Sequence, residues 1–259
     1  MTLLPQRFAL APGVVIFAAL VPPTAAGTIT SATSYVNCIY QAEGAPSQQQ
    51  TETVQGASLA LSCDTMNTSG QAVGSVETTL EWPLLADVMG SVTGSASFEG
   101  EAWIEFWVAV DQFATPPTNV DSVPVVMTDS GDTSVDGSGG ATASVEFPSS
   151  GPEYNVPVVE QLSLTPGDAI AGSIDAFCWT DTYPSGSGEC QALVDPVFQL
   201  DQATFDTQMG GNTFPLASYY DLELSPDVGV PEPASVALIG AGMLGLGYAV
   251  RKTESCARK

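Results

Sequence analysis

The chain has 259 residues, and its 29 acidic against 5 basic side chains give a formal net charge of −24 without any histidine. Such a strongly acidic chain repels nucleic acid and anionic lipid, which excludes nucleic-acid binding. The lack of histidine also excludes a Ser-His-Asp triad, a Cys-His pair and a histidine metal site.

The amino-terminal residues have the pattern of a secretory signal peptide. Arg7 supplies a positive charge, the apolar run FALAPGVVIFAALVPP follows it, and Thr24-Ala25-Ala26 provides small residues for cleavage. Signal peptidase requires these three features in this order. The sequence therefore predicts a signal peptide over residues 1–26, removed by signal peptidase, and export of the chain through the inner membrane.

Residues 27–224 predict one all-β ectodomain. Short alternating runs recur along them, including SYVNCIY, ASLALSC, GSVETTLEW, ATASVEF, DAIAGSIDAFCWT and ASYYDLEL. Alternation with period two, bounded by glycine, serine and proline turns, indicates half-buried strands. Seven or more such strands predict a single β-sandwich of the jelly-roll kind.

Four cysteines of this region, Cys38, Cys63, Cys178 and Cys190, are expected to form disulfides, because export places them in an oxidising compartment. Four cysteines allow three pairings, and the sequence leaves the choice open. Pairing each cysteine with its neighbour in the sequence would contribute about 3 kcal/mol per bridge by restricting the unfolded chain. Zinc is the competing interpretation, but the spacings do not fit a zinc site.

The run FEGEAWIEFWVAVD, from Phe98 to Asp111, is the best candidate for a functional surface. With period two, one face of this strand is apolar and the other mixes acidic and tryptophan side chains. Tryptophan beside glutamate can stack on a sugar ring and accept hydrogen bonds from its hydroxyls. The predicted carbohydrate face consists of Glu99, Glu101, Trp103, Glu105 and Trp107.

Two alternatives to carbohydrate binding remain for this strand. It can be a strand solvated on one side, with a loop covering the tryptophans. It can also serve a glycoside hydrolase, which needs two carboxylates about 5–5.5 Å apart for retention or about 6.5–9.5 Å apart for inversion. Neighbours such as Glu99 and Glu101 would lie near the inverting range, although binding is favoured over hydrolysis.

A candidate calcium site lies in the glycine-rich stretch DSGDTSVDGSGG, which contains Asp129, Asp132 and Asp136. Carboxylate oxygens on a flexible backbone suit calcium. The spacing matches neither an EF-hand loop nor a nonapeptide calcium repeat, and a solvated loop is the alternative. No other cofactor is expected.

The carboxy-terminal region predicts a membrane anchor. A linker over residues 225–233 contains Pro231, Glu232 and Pro233, and an uncharged apolar run occupies residues 234–250. Arg251 and Lys252 then open a basic tail over residues 251–259. Basic flanks stay on the cytoplasmic side, so the sequence predicts one transmembrane helix with the ectodomain facing away from the cytoplasm.

Pro231-Glu232-Pro233, a glycine-studded apolar run and a closing Arg251-Lys252 together resemble the PEP-CTERM sorting signal. The resemblance covers about the last thirty residues. It implies export by a Gram-negative, polysaccharide-producing bacterium and a transient stay in the inner membrane. It also implies recognition and removal of the tail by an exosortase, with the product at the cell surface or outside the cell.

These features favour a non-enzymatic protein of the cell surface or extracellular matrix, associated with extracellular polysaccharide or biofilm. The alternative is a secreted carbohydrate-active enzyme, a glycoside hydrolase that uses paired carboxylates.

Replacing Pro231, Glu232 and Pro233 with alanine should leave unprocessed chain in the inner membrane, because the resemblance places exosortase recognition at these residues. In the wild type, mass spectrometry of the surface fraction should find no peptide from Leu244 onward. A Glu254→Ala variant, changed beyond the basic flank, is the control and should be processed normally. Surface peptides that extend past Leu244 would contradict the assignment.

Overall fold

The computed structural model describes residues 31–147, 153–211 and 213–228. These residues form mostly β-structure in several antiparallel sheets with one α-helix, which confirms the all-β expectation. The predicted signal peptide, the PEP segment, the apolar run over residues 234–250 and the basic tail lie outside them. Of the helices in the described ranges, none has the length and apolar character needed to cross a membrane.

In chain order the strands are β1 (Thr33–Ala42), β2 (Gln48–Gln55), β3 (Leu59–Met66), β4 (Gly70–Thr79), β5 (Leu85–Gly94), β6 (Ala96–Gln112), β7 (Val123–Asp129), β8 (Thr133–Asp136), β9 (Ser138–Glu146), β10 (Glu153–Asn155), β11 (Val158–Leu164), β12 (Ala169–Thr182), β13 (Ser187–Val194), β14 (Val197–Leu200) and β15 (Tyr220–Leu224). Helix α1 (Gln202–Met209) and a short 3₁₀ helix (Leu216–Ser218) lie between β14 and β15.

The strands form three antiparallel sheets. The seven-stranded sheet has the order β10-β9-β12-β6-β1-β2, and β15 pairs with the carboxy-terminal part of β6 beyond β1. The five-stranded sheet has the order β3-β4-β5-β13-β8, and β11-β7-β14 form the third sheet. The 17-residue β6 is central, because both long strands β1 and β12 pair with it.

One apolar core joins the sheets. The alternation predicted for β6 is confirmed, because its inward side chains Phe98, Ala102, Ile104, Phe106, Val108 and Val110 are all buried. At the carboxy-terminal part of β6, Phe106 packs on Phe198 of the three-stranded sheet with ring centroids 5.8 Å apart. Phe147 meets both rings edge-on at 6.2 Å. Inward side chains of β6 therefore contribute to the core along most of the length of the strand.

Two disulfides connect the seven-stranded and five-stranded sheets, and each joins neighbouring cysteines of the sequence. Cys38 on β1 bonds Cys63 on β3, and Cys178 on β12 bonds Cys190 on β13. The Cα atoms of the two pairs are 6.6 Å and 5.8 Å apart. Packed sheets normally lie about 10 Å apart, so the bridges mark a level at which the sheets approach closely.

Glycines occupy the strands between the two disulfides. In the seven-stranded sheet Gly100 pairs with both Cys38 and Cys178. In the five-stranded sheet Cys63 pairs with Gly74, Gly74 with Gly90, and Gly90 with Cys190. The ring of Phe98 fills the space: a Cβ at Gly74 would overlap one edge of this ring, and a Cβ at Gly90 the other. No larger residue fits either position without moving the ring.

The end of the described chain is packed on the domain. Ser225 Oγ accepts a hydrogen bond from the backbone N–H of Trp107 at 3.0 Å, and Val228 is buried. Both carboxylate oxygens of Asp227 accept from the Ala32 N–H, at 2.9 and 3.1 Å. Residues 225–228, which the sequence assigns to the linker, are therefore part of the folded body.

Gly90→Ala should destabilise the protein by about 1–3 kcal/mol, although alanine is intrinsically better than glycine in a strand. The reason is that the Phe98 ring is held on its opposite edge by Gly74 and cannot move away. Urea unfolding should show a lower midpoint with an unchanged slope.

The matched control for this change is Ser91→Ala, one position along the same strand on its outward side, which should change stability by less than about 0.5 kcal/mol. A Gly90→Ala/Phe98→Leu double variant should be less destabilised than the sum of the single changes, because the smaller side chain relieves the overlap. Strict additivity would show that the ring is not the obstacle.

Candidate functional site

The outer face of the seven-stranded sheet carries the side chains predicted to bind carbohydrate. Glu99 and Glu105 are exposed, and Glu101, Trp103 and Trp107 are half-buried. All five project from the side of β6 opposite the core, since their neighbours along the strand are the buried apolar residues. Burial alternates along this part of β6 as a strand with one solvated face requires.

The neighbouring strands extend this surface. On β12, Trp179 lies directly opposite Glu99, Phe177 opposite Glu101, and Asp175 opposite Trp103. Directly opposed residues of antiparallel strands have Cβ atoms about 4.5–5.5 Å apart, so their side chains are within contact distance. Three consecutive rows therefore each combine one aromatic ring with one carboxylate.

On the other side of β6, Tyr35 of β1 lies opposite Trp103. We call this surface the aromatic–acidic face and define it by Tyr35, Glu99, Glu101, Trp103, Glu105, Asp175, Phe177 and Trp179. Trp179 is 38% exposed. Its indole lies over Gly140 of β9, where an added Cβ would come within 2.7 Å of Nε1. Glycine at this position leaves room for the indole beside the sheet.

The sequence did not identify Tyr35, Asp175, Phe177 and Trp179 as parts of the face. The runs SYVNCIY and DAIAGSIDAFCWT predict strands with the correct alternation, so the orientation of these side chains could have been inferred. Their positions opposite β6 depend on pairing between distant segments, which a single sequence does not specify.

The carboxylates of the face lie close together, and their charges shift the pKa values of neighbouring groups. Burial raises the pKa of Glu101, and the adjacent Glu99 raises it further. Burial, followed by the charge of Glu101, also raises the pKa of the Tyr35 hydroxyl. The described ranges contain no lysine, arginine or histidine, so no salt bridge to a carboxylate of the face forms within them.

A hollow of about 270 Å³ continues the face at one end. Ser97 and Asp181, the next outward residues beyond Glu99 and Trp179, line it together with Gln41 and Tyr183. Tyr183 is 80% exposed, although it is a large aromatic side chain. A linear ligand lying along β6 and β12 would reach this hollow.

A further hollow of about 630 Å³ lies on the outer side of the five-stranded sheet. Serines, Val73, Met89, Glu189 and Gln191 contribute to its lining, and aromatic side chains do not. Although it is the roomier of the two hollows, it offers no ring on which a sugar could stack. The aromatic–acidic face is therefore the better candidate for carbohydrate.

The predicted calcium ligands lie in different surroundings. Asp129 ends β7 and is buried, whereas Asp132 and Asp136 are exposed, and Asp136 belongs to β8 rather than to a loop. Within residues 31–147, 153–211 and 213–228, no three acidic or cysteine side chains are grouped closely enough to hold a metal ion. The three aspartates are thus not gathered into one site.

Asp129 instead lies against Asp195. Its Oδ1 accepts from the Gly131 N–H at 2.7 Å, while Ser130 donates from both its N–H and its hydroxyl to Asp195. Burial raises the pKa of Asp129 to about 6, opposed by the hydrogen bonds from the Gly131 and Asp195 N–H groups and increased by the Asp195 carboxylate.

Comparison with known proteins identifies the carboxy-terminal segment. A family model described as the PEP-CTERM protein-sorting motif matches residues 229–252. The chain therefore carries this motif, and the motif marks it as an exported, exosortase-targeted protein of the cell surface or extracellular space. A search of curated proteins gave no match.

Asp129→Asn should remove a pH-dependent loss of stability. The pKa of Asp129 is higher in the folded protein than in the unfolded chain, so the folded state holds a proton that the unfolded state releases between about pH 4 and about pH 6. Its contribution to stability is therefore lost as the pH rises through about 6. Thermal unfolding should show a steeper decline of stability from about pH 4 to about pH 6 in the wild type than in the variant.

Asp132→Asn, which changes an exposed carboxylate in the adjacent loop, is the matched control and should retain the slope of the wild type. Equal slopes in all three proteins would show that Asp129 is ionised in the folded protein throughout this pH range.

Proposed function

We propose that this exported protein is a non-enzymatic component of the cell surface or extracellular matrix that binds extracellular polysaccharide through the aromatic–acidic face. The fold that presents this face is a β-sandwich of the jelly-roll kind. The observation that carries the proposal is the row-by-row pairing of aromatic rings and carboxylates across β6 and β12.

This pairing meets the two requirements of sugar recognition. A pyranose ring offers an apolar face for stacking and hydroxyl groups at its edge for hydrogen bonds. Trp103, Phe177 and Trp179 supply ring faces, and the opposing carboxylates supply acceptors. Among the described residues these three rings are not part of the apolar core; Trp179 is 38% exposed, and Trp103 and Phe177 are half-buried.

Polar side chains of β1 and β2, the strands that follow β6 in the sheet, would help to orient a ligand on the face. Asn37, which pairs with Glu101, has its Oδ1 fixed by donors from Gln49 at 3.0 Å and Thr51 at 2.9 Å. Side chains held in this way need little further ordering when a ligand binds, which favours affinity. The face therefore has a preorganised polar border beside its aromatic centre.

One observation favours a glycoside hydrolase as the second candidate. A raised pKa, as for Glu101, is the property required of a general acid, and Glu99 lies next to it as a second carboxylate. Binding remains the first proposal because the face is an open sheet surface rather than a cleft that would exclude water from the reacting bond.

Trp179→Ala and Trp103→Ala should each weaken binding to a cognate polysaccharide by about 1–3 kcal/mol, the scale of losing one stacked ring with its buried area. The measurement is a glycan array followed by titration calorimetry on the full chain in detergent. Reducing ends should not accumulate during incubation.

The matched control is Trp82→Ala, because Trp82 packs against Phe198 on the core side with centroids 6.3 Å apart. This change should lower stability without a specific loss of affinity in the folded fraction. Reducing ends that appear in the wild type and disappear in Glu101→Gln would support the hydrolase instead. Binding unaffected by both tryptophan changes on the face would contradict the proposed site.

A further inference from the structure

The aromatic–acidic face concentrates negative charge, and the described part of the chain holds no cationic side chain to compensate it. Glu99, Glu101 and Glu105 lie along β6, and Asp175 lies opposite Trp103 on β12. The sequence contains no lysine, arginine or histidine from residue 8 to residue 250. An anionic ligand would add repulsion here, a neutral ligand would leave the existing repulsion unchanged, and a cationic ligand would relieve it.

We propose that the face selects a polysaccharide built of amino sugars whose amines are free and protonated. This inference rests on the proposed function and specifies its ligand. The ligand class is a polymer of hexosamine units that lack N-acetyl groups on at least part of the chain. Charge complementarity distinguishes it from neutral glucans and from uronic-acid polymers.

The geometry suits one amino sugar per row. In the Glu99 and Glu101 rows the carboxylate is on β6 and the ring, Trp179 or Phe177, is on β12. In the Trp103 row the ring is on β6 and Asp175 on β12. A hexosamine stacked on the ring places its equatorial ammonium at the ring edge, where the opposing carboxylate accepts a charge-assisted hydrogen bond.

The crowding of Glu99 and Glu101 provides a reason for selectivity. Glu101 is half-buried, and its pKa is raised by burial and by the charge of Glu99, so ionisation of Glu101 is costly in the free protein. An ammonium group beside the Glu101 carboxylate lowers that cost, and a neutral acetamide group does not. Affinity for the cationic ligand should therefore decrease as salt rises, because the Debye length falls from about 30 Å at 0.01 M to about 10 Å at 0.1 M.

The experiment compares three oligosaccharides of equal length: oligoglucosamine, oligo-N-acetylglucosamine and oligogalacturonate. Titration calorimetry uses the full chain in detergent, at a pH where the amines are protonated. We expect oligoglucosamine to bind at least about tenfold more tightly than its N-acetylated counterpart, and oligogalacturonate not to bind. The preference should shrink at the higher salt concentration.

Three variants locate the effect. Glu101→Gln should reduce the preference for free amines by about tenfold while retaining the weaker binding of N-acetylated oligomer. Trp179→Ala should weaken the binding of both glucosamine oligomers. If attraction to the overall negative charge alone governed binding, this variant would bind them as the wild type does. Glu189→Gln makes the same charge change on the outer side of the five-stranded sheet and should leave binding unchanged.

The outcomes separate the two proposals. Equal affinity for both glucosamine oligomers, with loss in Trp179→Ala, overturns the amine selectivity and leaves the polysaccharide-binding proposal standing. Equal losses in Glu101→Gln and Glu189→Gln show that general attraction governs binding and overturn the assignment to this face. Preferred binding of oligogalacturonate overturns the charge argument, and binding of none of the three overturns both proposals for the tested ligand classes.

Discussion

The structure depends on the close approach of two sheets at the level of the two disulfides. With Cα separations of 6.6 Å and 5.8 Å, Cys38–Cys63 and Cys178–Cys190 leave little room between β6 and the five-stranded sheet. Gly100, Gly74 and Gly90 make that spacing sterically feasible, and the single ring of Phe98 fills the remaining volume. Changing a disulfide, one of these glycines or Phe98 would force the two sheets to separate or the Phe98 ring to move.

The same constraint determines the outer surface. Gly100 lies between Glu99 and Glu101, and it pairs with Cys38 on β1 and Cys178 on β12. Because a shift of one residue would turn every side chain of a strand to the opposite face, the bridged cysteines fix which face β1 and β12 turn inward, and β6 pairs with both of these strands. The Glu99 and Glu101 rows of the aromatic–acidic face, which lie on either side of Gly100, are therefore positioned from the interior, without any contact between the disulfides and a ligand.

Sequence reasoning was most informative where burial alternates. Phe98 to Asp111 has a buried and a solvated side, and both could be assigned correctly. The polar run QQQTETVQ gives no such pattern, yet it forms the edge strand β2, because an exposed edge needs backbone pairing and little apolar burial.

Two further elements also lack a local pattern. Helix α1 buries Phe205 alone and depends on its Asp201 cap, and the glycine-rich stretch after Asp129 contains β8, paired with β13. These elements, like the partners of β6 in the candidate site, are specified by distant contacts rather than by local periodicity.

The packed position of Val228 limits how far the sorting segment can extend from the domain. An extended chain advances at most about 3.6 Å per residue, so Glu232 lies no more than about 14 Å along the chain from the buried Val228. The PEP-CTERM motif implies processing by an exosortase, so an exosortase that recognised this segment would have to do so within that distance of a folded domain. For an enzyme of the inner membrane, the number of residues after Val228 would then limit the distance between the domain and the bilayer during processing. Inserting residues after Val228 would increase that distance, and deleting residues would reduce it.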